Sequence, residues 1–119
     1  MAEELSDYVW EVTRKWDPLA RDTFGKEMID AADAIGAYIA EGAGRGSHTE
    51  NRKFARMARG ALYELKHWFR RAYKRGLLPE EEREMFKKLA DELTPRLSAY
   101  INAIGKRTKT GDNPQYTTH

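Results

Sequence analysis

Cysteine is absent from this chain of 119 residues. Its absence excludes disulfide bonds, thiolate catalysis and zinc sites built on cysteine ligands. The chain also lacks any apolar run near the ~20 residues that a membrane-spanning helix requires. Its first residues include Glu3 and Glu4, whereas a secretory signal begins with a basic segment followed by an apolar one. We therefore expect a cytoplasmic protein without a signal peptide or membrane contact.

The two-residue alternation of a half-buried β-strand is missing as well. Apolar residues instead recur every three or four positions, which predicts helices over about residues 3–16, 22–41, 47–75 and 79–104. Four amphipathic helices with short connections favour an all-α fold, an antiparallel up-down four-helix bundle, over residues 1–105. Residues 106–119 form a polar C-terminal tail. The predicted inward stripes are Leu5, Val9, Val12 and Trp16; Phe24, Met28, Ala31, Ile35 and Ile39; Phe54, Ala58, Ala61, Leu65, Trp68 and Ala72; and Phe86, Leu89, Leu93, Leu97, Tyr100 and Ile104.

Several residues mark the predicted helix ends. Pro18 stops the first helix, because the residue before a proline is pushed out of the helical region. Ser47 and Glu50 form a capping box at the start of the third helix, and Gly76 supplies the left-handed residue that ends it. Pro95 falls within the fourth helix without changing the phase of its stripe, so we expect a kink one turn earlier, with Pro95 on the outer face.

The net charge of +2 conceals a strong segregation of charge along the chain. Residues 1–46 hold five Lys and Arg against ten Asp and Glu, whereas residues 47–78 hold nine against two. The third helix is therefore strongly basic, with a balance of +7, and the first half of the chain is acidic.

The cations of the third helix form one face, which we call the basic face. At ~100° per residue its members lie within roughly 40° of one line, opposite the apolar stripe. The basic face comprises Arg52, Arg56, Arg59, Tyr63, Lys66, Arg70 and Lys74. Such a face suits the phosphate backbone of RNA or DNA. Two alternatives remain open: pairing with the acidic first half, within or between subunits, and plain solvation.

The segment 41–47, Glu-Gly-Ala-Gly-Arg-Gly-Ser, is rich in glycine like a phosphate-binding loop. It joins two helices and lacks the Walker lysine, so a tight structural turn is the favoured interpretation. Arg45 and Ser47 are still candidates for anion binding, because they lie beside the exposed N–H groups of the third helix.

Neither a metal site nor a catalytic residue is predicted. Glu64 and His67 have the Glu-x-x-His spacing of di-iron bundles, but such sites need that motif twice. The other histidines, His48 and His119, do not supply a second copy. We expect a non-enzymatic protein without a cofactor or metal.

Trp10 lies off the inward stripe of the first helix. It is either a partly covered surface residue or part of a subunit interface, since a large exposed aromatic side chain is costly to leave in water.

A group of these residues resembles a known family, the four-helix-bundle proteins of the 23S rRNA intervening-sequence family. The residues that carry the resemblance are Ile39-Ala40-Glu41-Gly42, Gly44-Arg45, Ser47, Phe54, Ala58-Arg59-Gly60 and Glu64. The resemblance covers about residues 5–105. It departs at Gly36, where members usually carry proline, and at Tyr38, where they usually carry asparagine.

The resemblance implies a cytosolic bacterial protein that assembles as a homopentameric ring, with no established catalytic activity and no cofactor. A similar fold serves as the accessory protein of diversity-generating retroelements, which binds nucleic acid and a reverse transcriptase. The expected partners are other copies of this chain, as the family resemblance implies, RNA or DNA through the basic face, and an unidentified protein. The alternative is a purely structural or protein-interaction oligomer with no nucleic-acid ligand.

Overall fold

The computed structural model describes residues 1–110 of the chain, and the side-chain surroundings of residues 1–106. These residues form four helices and no strand, which confirms the predicted all-α class. Helix α1 spans Ala2–Thr13, α3 spans His48–Lys74 and α4 spans Glu80–Thr110. Helix α2 is continuous but mixed, with α-helical Pro18–Ala20, π-helical Arg21–Gly25 and α-helical Lys26–Ala43. Within the described part of the chain, no helix is long and apolar enough to cross a membrane.

The junction between α1 and α2 differs from the prediction. Helix α1 ends at Thr13, before Trp16, and α2 begins at Pro18, four residues ahead of the predicted start. Asp17 caps α2, because its carboxylate accepts a hydrogen bond of 3.1 Å from the N–H of Ala20. Proline is favoured in the first turn of a helix, where its missing N–H costs nothing. Pro18 therefore starts the second helix as well as stopping the first, the only role predicted for it.

Both ends of α3 lie where the sequence predicts them, although only the serine half of the capping box is observed among the described residues. The Ser47 hydroxyl accepts a 3.1 Å hydrogen bond from the N–H of Glu50 at the helix start. Gly76 has a φ of +78°, in the left-handed region. The N–H of Leu77 then donates to the carbonyl of Ala72, at 3.0 Å, which closes the C-terminal turn.

Helix α4 continues through Pro95, whose side chain is exposed as predicted. The kink before Pro95 stays a prediction. The helix runs to Thr110 and so extends beyond residue 105 into the predicted tail. The rest of that tail, residues 111–119, lies outside the described residues.

The core confirms most of the predicted stripes and corrects the one on α3. Phe54 and Trp68 were expected inside, but both are half-buried, whereas Leu62 and Phe69 are buried. The reason is that α3 packs against two neighbours, α2 on one side and α4 on the other. Its buried surface is therefore wider than a single stripe, and the Phe69 ring stacks on Phe86 of α4 at 3.6 Å. Half-burial also applies to four other residues predicted inside, namely Trp16, Ile39, Leu89 and Tyr100.

Specific contacts fix the neighbours of each helix. The Ser6 hydroxyl of α1 donates to Asp33 of α2, and the Tyr8 hydroxyl of α1 donates to the carbonyl oxygen of Glu82 in α4, at 3.2 Å. The Tyr100 hydroxyl of α4 donates to the side chain of Asn51 in α3, at 3.3 Å. Helix α3 packs mainly against α2 and α4, and the predicted basic face has exposed members on the remaining surface of α3.

Candidate nucleic-acid interface

The structure divides the basic face into an outer row and an inner row. The outer row is exposed and consists of Arg56, Tyr63, Arg70 and Lys74. The inner row is half-buried and consists of Arg52, Arg59 and Lys66. Inner-row residues follow one another every seven positions, or about two helical turns, so they lie along the same edge of α3.

Contacts with α4 hold both ends of the inner row. The guanidinium of Arg52 packs against Gly105, where an added Cβ would lie 3.1 Å from the Arg52 Nε. The Lys66 ammonium donates a 2.7 Å hydrogen bond to the Thr94 hydroxyl and lies 5.4 Å from the centre of the Tyr63 ring. The inner row therefore follows the seam between α3 and α4, and the outer row projects beyond it.

The six cations of the basic face form no ion pair with any carboxylate in the described part of the chain. Several cations of the acidic first half are paired: Arg14 lies 2.7 Å from Glu11, and Lys26 lies 2.8 Å from Asp30. Pairing of the basic face with the acidic first half of the same chain is therefore not observed among these residues. The positive charge on α3 stays uncompensated at its surface.

Tyr63 is the large aromatic side chain of the outer row, and it is 52% exposed. Its ring is supported on one side by the ammonium of Lys66. An exposed ring among cations can stack on a nucleic-acid base while its neighbours contact phosphates.

A cleft between α3 and the first turns of α4 extends the positive surface, and we call it the basic cleft. Its volume is about 380 Å³. Five cations line it, three from α3 and two from α4: Lys66, Arg70, Lys74, Arg83 and Lys87. Arg83 and Lys87 were not predicted as site residues, because they stand on a different helix from the other cations. Their spacing of four residues was visible, but their position beside α3 depends on how the chain turns at Gly76.

One end of the basic cleft holds a cluster of Tyr73, Glu80 and Arg83. The Tyr73 hydroxyl donates a 2.8 Å hydrogen bond to the Glu80 carboxylate, and Arg83 donates to the other carboxylate oxygen at 3.1 Å. The Arg83 guanidinium lies 4.6 Å from the centre of the Tyr73 ring. The hydrogen bond from Tyr73 lowers the pKa of Glu80 below its ordinary value, and the same bond raises the pKa of Tyr73. Glu80 is thus an ionised group of the chain itself at the end of a cationic cleft.

The glycine-rich turn uses its polar residues within the chain. The Arg45 guanidinium lies 3.0 Å from the Glu41 carboxylate and 4.9 Å from the centre of the Phe54 ring. The Ser47 hydroxyl oxygen accepts the capping hydrogen bond from Glu50. The predicted structural turn fits these contacts, and anion binding by Arg45 and Ser47 stays a prediction.

Glu64 and His67, the Glu-x-x-His pair, both contact Trp68. The Trp68 indole N–H donates to Glu64 at 3.2 Å, and the His67 ring meets the Trp68 ring at 5.2 Å. Among the described residues, no group of three or more His, Asp or Glu side chains is placed to hold a metal ion.

Comparison with protein families gives one match. Residues 1–99 match the family model described as 23S rRNA-intervening sequence protein. No curated protein matches the chain. The matched residues include α1, α2 and α3 in full, and α4 as far as residue 99.

Proposed function

We propose that this protein, which belongs to the 23S rRNA-intervening sequence protein family, is a non-enzymatic protein that binds RNA or DNA through the basic face of α3. The observation that carries the proposal is the lack of ion pairs at this face. Six cations share one side of a helix, and none has a carboxylate partner in the described part of the chain. A polyanion would supply the missing negative charge.

The geometry favours contacts with phosphates over recognition of bases. Arg56, Arg70 and Lys74 are exposed on the surface of a rigid helix, where a nucleic-acid backbone can approach them together. Phosphate contacts position a protein on nucleic acid but carry no sequence information. We therefore expect little sequence preference. Affinity should fall as salt rises, by roughly one log unit per log unit of salt for each phosphate contact.

We further propose that the four helices form an antiparallel up-and-down bundle and that the protein assembles into a closed ring of five copies. Two aromatic contacts support an antiparallel arrangement of α2 and α3. Phe24, near the start of α2, packs near Trp68, towards the end of α3. Tyr38, towards the end of α2, packs near Phe54, near the start of α3. The exposure of Trp10, which is 55%, supports association. A cyclic ring joins two different patches of each subunit, and the exposed row of the basic face has to lie outside both patches to stay accessible to nucleic acid.

The test of nucleic-acid binding uses two matched variants. Arg56→Glu with Arg70→Glu reverses two exposed cations of the basic face, and Lys88→Glu with Arg96→Glu reverses two exposed cations on α4. Both variants change the net charge equally. Binding to labelled RNA and DNA of mixed sequence is measured by fluorescence anisotropy over a series of salt concentrations. We expect the first variant to lose binding and the second to retain most of it.

Circular dichroism and native mass spectrometry serve as controls for folding and assembly. If the first variant keeps its helical spectrum but the oligomer dissociates, the basic face is a subunit interface. The alternative function would then be correct, in which the protein is a purely structural oligomer without a nucleic-acid ligand. If the unmodified protein retains neither RNA nor DNA at low salt, the proposal of nucleic-acid binding is wrong.

A further inference from the structure

The basic cleft carries cations on both of its sides. Lys66, Arg70 and Lys74 follow one another along α3, and Arg83 and Lys87 do so along α4. Neighbours in each row are four residues apart, which is a rise of about 6 Å along the helix and keeps them on one side. A chain of phosphates lying in the cleft would therefore contact positive charge repeatedly, from α3 on one side and from α4 on the other.

The floor of the cleft is closed by aromatic rings. Phe69 and Phe86 stack at 3.6 Å and are both buried, so the cleft is a surface channel that does not open the core. No carboxylate is among the described residues that line it. A ligand in this channel would meet cationic walls above an apolar floor.

We propose that this cleft binds the sugar-phosphate backbone of a single strand, so that the nucleic acid recognised by the protein is single-stranded. The inference rests on the proposed function and specifies its ligand. The two helices that form the cleft are packed together, and packed helices have axes about 8–10 Å apart. A nucleic-acid duplex is wider than this, since its major groove alone measures ~12 Å. A duplex would therefore touch only the outer ends of the cations. A single strand is narrow enough to lie in the cleft above the Phe69 and Phe86 rings, where it contacts both rows.

Glu80 regulates the end of the cleft. Its carboxylate accepts hydrogen bonds from Tyr73 and Arg83, at 2.8 and 3.1 Å, in the way that a phosphate would. A phosphate that reaches Arg83 has to compete with this internal anion and with Glu84, whose carboxylate accepts a hydrogen bond from Arg83 at 3.3 Å. Removal of the charge in Glu80→Gln should therefore strengthen binding of a single strand, by roughly two- to fivefold, the range of an exposed ion pair.

The decisive variant is Lys87→Glu, with Lys88→Glu as its control. Both lysines are exposed and adjacent on α4, and only Lys87 lines the cleft. The ligands are an unstructured single-stranded oligonucleotide, prepared as RNA and as DNA, and a blunt duplex of the same sequence. We expect Lys87→Glu to weaken single-strand binding several-fold and to reduce the salt slope by roughly 0.7, the value for one phosphate contact on a single strand. Lys88→Glu should leave both the affinity and the slope nearly unchanged.

The outcomes separate this inference from the proposed function. If the duplex binds more tightly than the single strands, or if Lys87→Glu and Lys88→Glu behave alike, the cleft is not the site. The proposed function would still stand if Arg56→Glu with Arg70→Glu abolished binding. If the unmodified protein binds no nucleic acid at low salt, both are overturned. Unchanged binding in Glu80→Gln would contradict the role of Glu80 alone.

Discussion

Gly42 of α2 and Phe54 of α3 lie so close together that a Cβ at position 42 would stand 2.9 Å from the Phe54 Cβ. The same atom would lie 2.8 Å from the side-chain oxygen of Asn51. Real Cβ atoms do not tolerate such distances without a shift of their neighbours. Glycine at this position lets the end of α2 touch the start of α3, the helix that carries the basic face.

Gly42→Ala should therefore destabilise the protein. Overpacking of a tight contact costs about 1–3 kcal/mol of the free energy of unfolding, and part of the Phe54 contact would be lost. The matched control is Gly60→Ala on α3, where an added Cβ meets nothing within 4 Å. That change should stabilise by up to about 1 kcal/mol, since alanine favours helix more than glycine does. Urea unfolding measures both, and equal effects of the two substitutions would contradict the packing argument.

Tyr63 should contribute to binding through its ring. Replacement by alanine removes the stacking surface, which is worth about 1–3 kcal/mol per base, and should weaken single-strand binding by roughly five- to a hundredfold. Tyr63→Phe keeps the ring and should bind like the unmodified protein. Anisotropy titrations of both variants test this, and equal weakening in both would assign the role to the hydroxyl group.

Trp10 should contribute to assembly and little to the fold. Its side chain is more than half exposed, so Trp10→Ala removes few contacts within the subunit. We expect the melting temperature of the subunit fold to change little. The oligomer should associate more weakly and dissociate at a higher protein concentration than the unmodified one. Native mass spectrometry over a concentration series gives the mass. Met85→Ala, at another exposed apolar side chain, is the control, and a Trp10→Ala oligomer as tight as that control would place the interface elsewhere.

The helical class could be predicted because local signals agreed with one another. Ser47 and Gly76 each mark a helix end by chemistry that acts within a few residues, and the structure confirms both. Burial of Leu62 and Phe69 could not be predicted in the same way, because it depends on α3 having two neighbours. The π-helical turn at Arg21–Gly25 was also missed, since no local pattern distinguishes it from an α-helix.

The candidate site was predictable on one helix and not between two. The basic face is a property of the spacing along α3, so its seven members were visible in the sequence. The sequence did not show which members would be exposed. Lys66, for example, is half-buried because it donates a hydrogen bond to Thr94 of α4, 28 residues further along the chain. Arg83 and Lys87 became part of a site only because the turn at Gly76 brings α4 back along α3.

Glu80 should titrate below its ordinary pKa because of its hydrogen bond from Tyr73. The pKa of Glu80 is lowered from its ordinary value of 4.5, first by the hydrogen bond from Tyr73 and then by Arg83. A carboxyl group whose pKa is depressed in the folded state stabilises the fold above its unfolded pKa. That contribution is lost as the pH falls through the lower, folded pKa. The interaction should therefore be fully present at neutral pH and disappear only below about pH 4.5.

Carbon-detected NMR of the Glu80 carboxyl group measures this pKa directly. In Tyr73→Phe the ring remains under the Arg83 guanidinium but the hydroxyl donor is gone, so the pKa of Glu80 should rise toward 4.5. Tyr8→Phe is the control: its hydroxyl donates to the backbone carbonyl of Glu82, not to Glu80, and the pKa of Glu80 should stay where it is. Arg83 would be the main cause if Tyr73→Phe left the pKa unchanged. In that case Glu80 interacts mainly with Arg83 and competes with a phosphate for it. Glu80→Gln should then change single-strand binding more than Tyr73→Phe does.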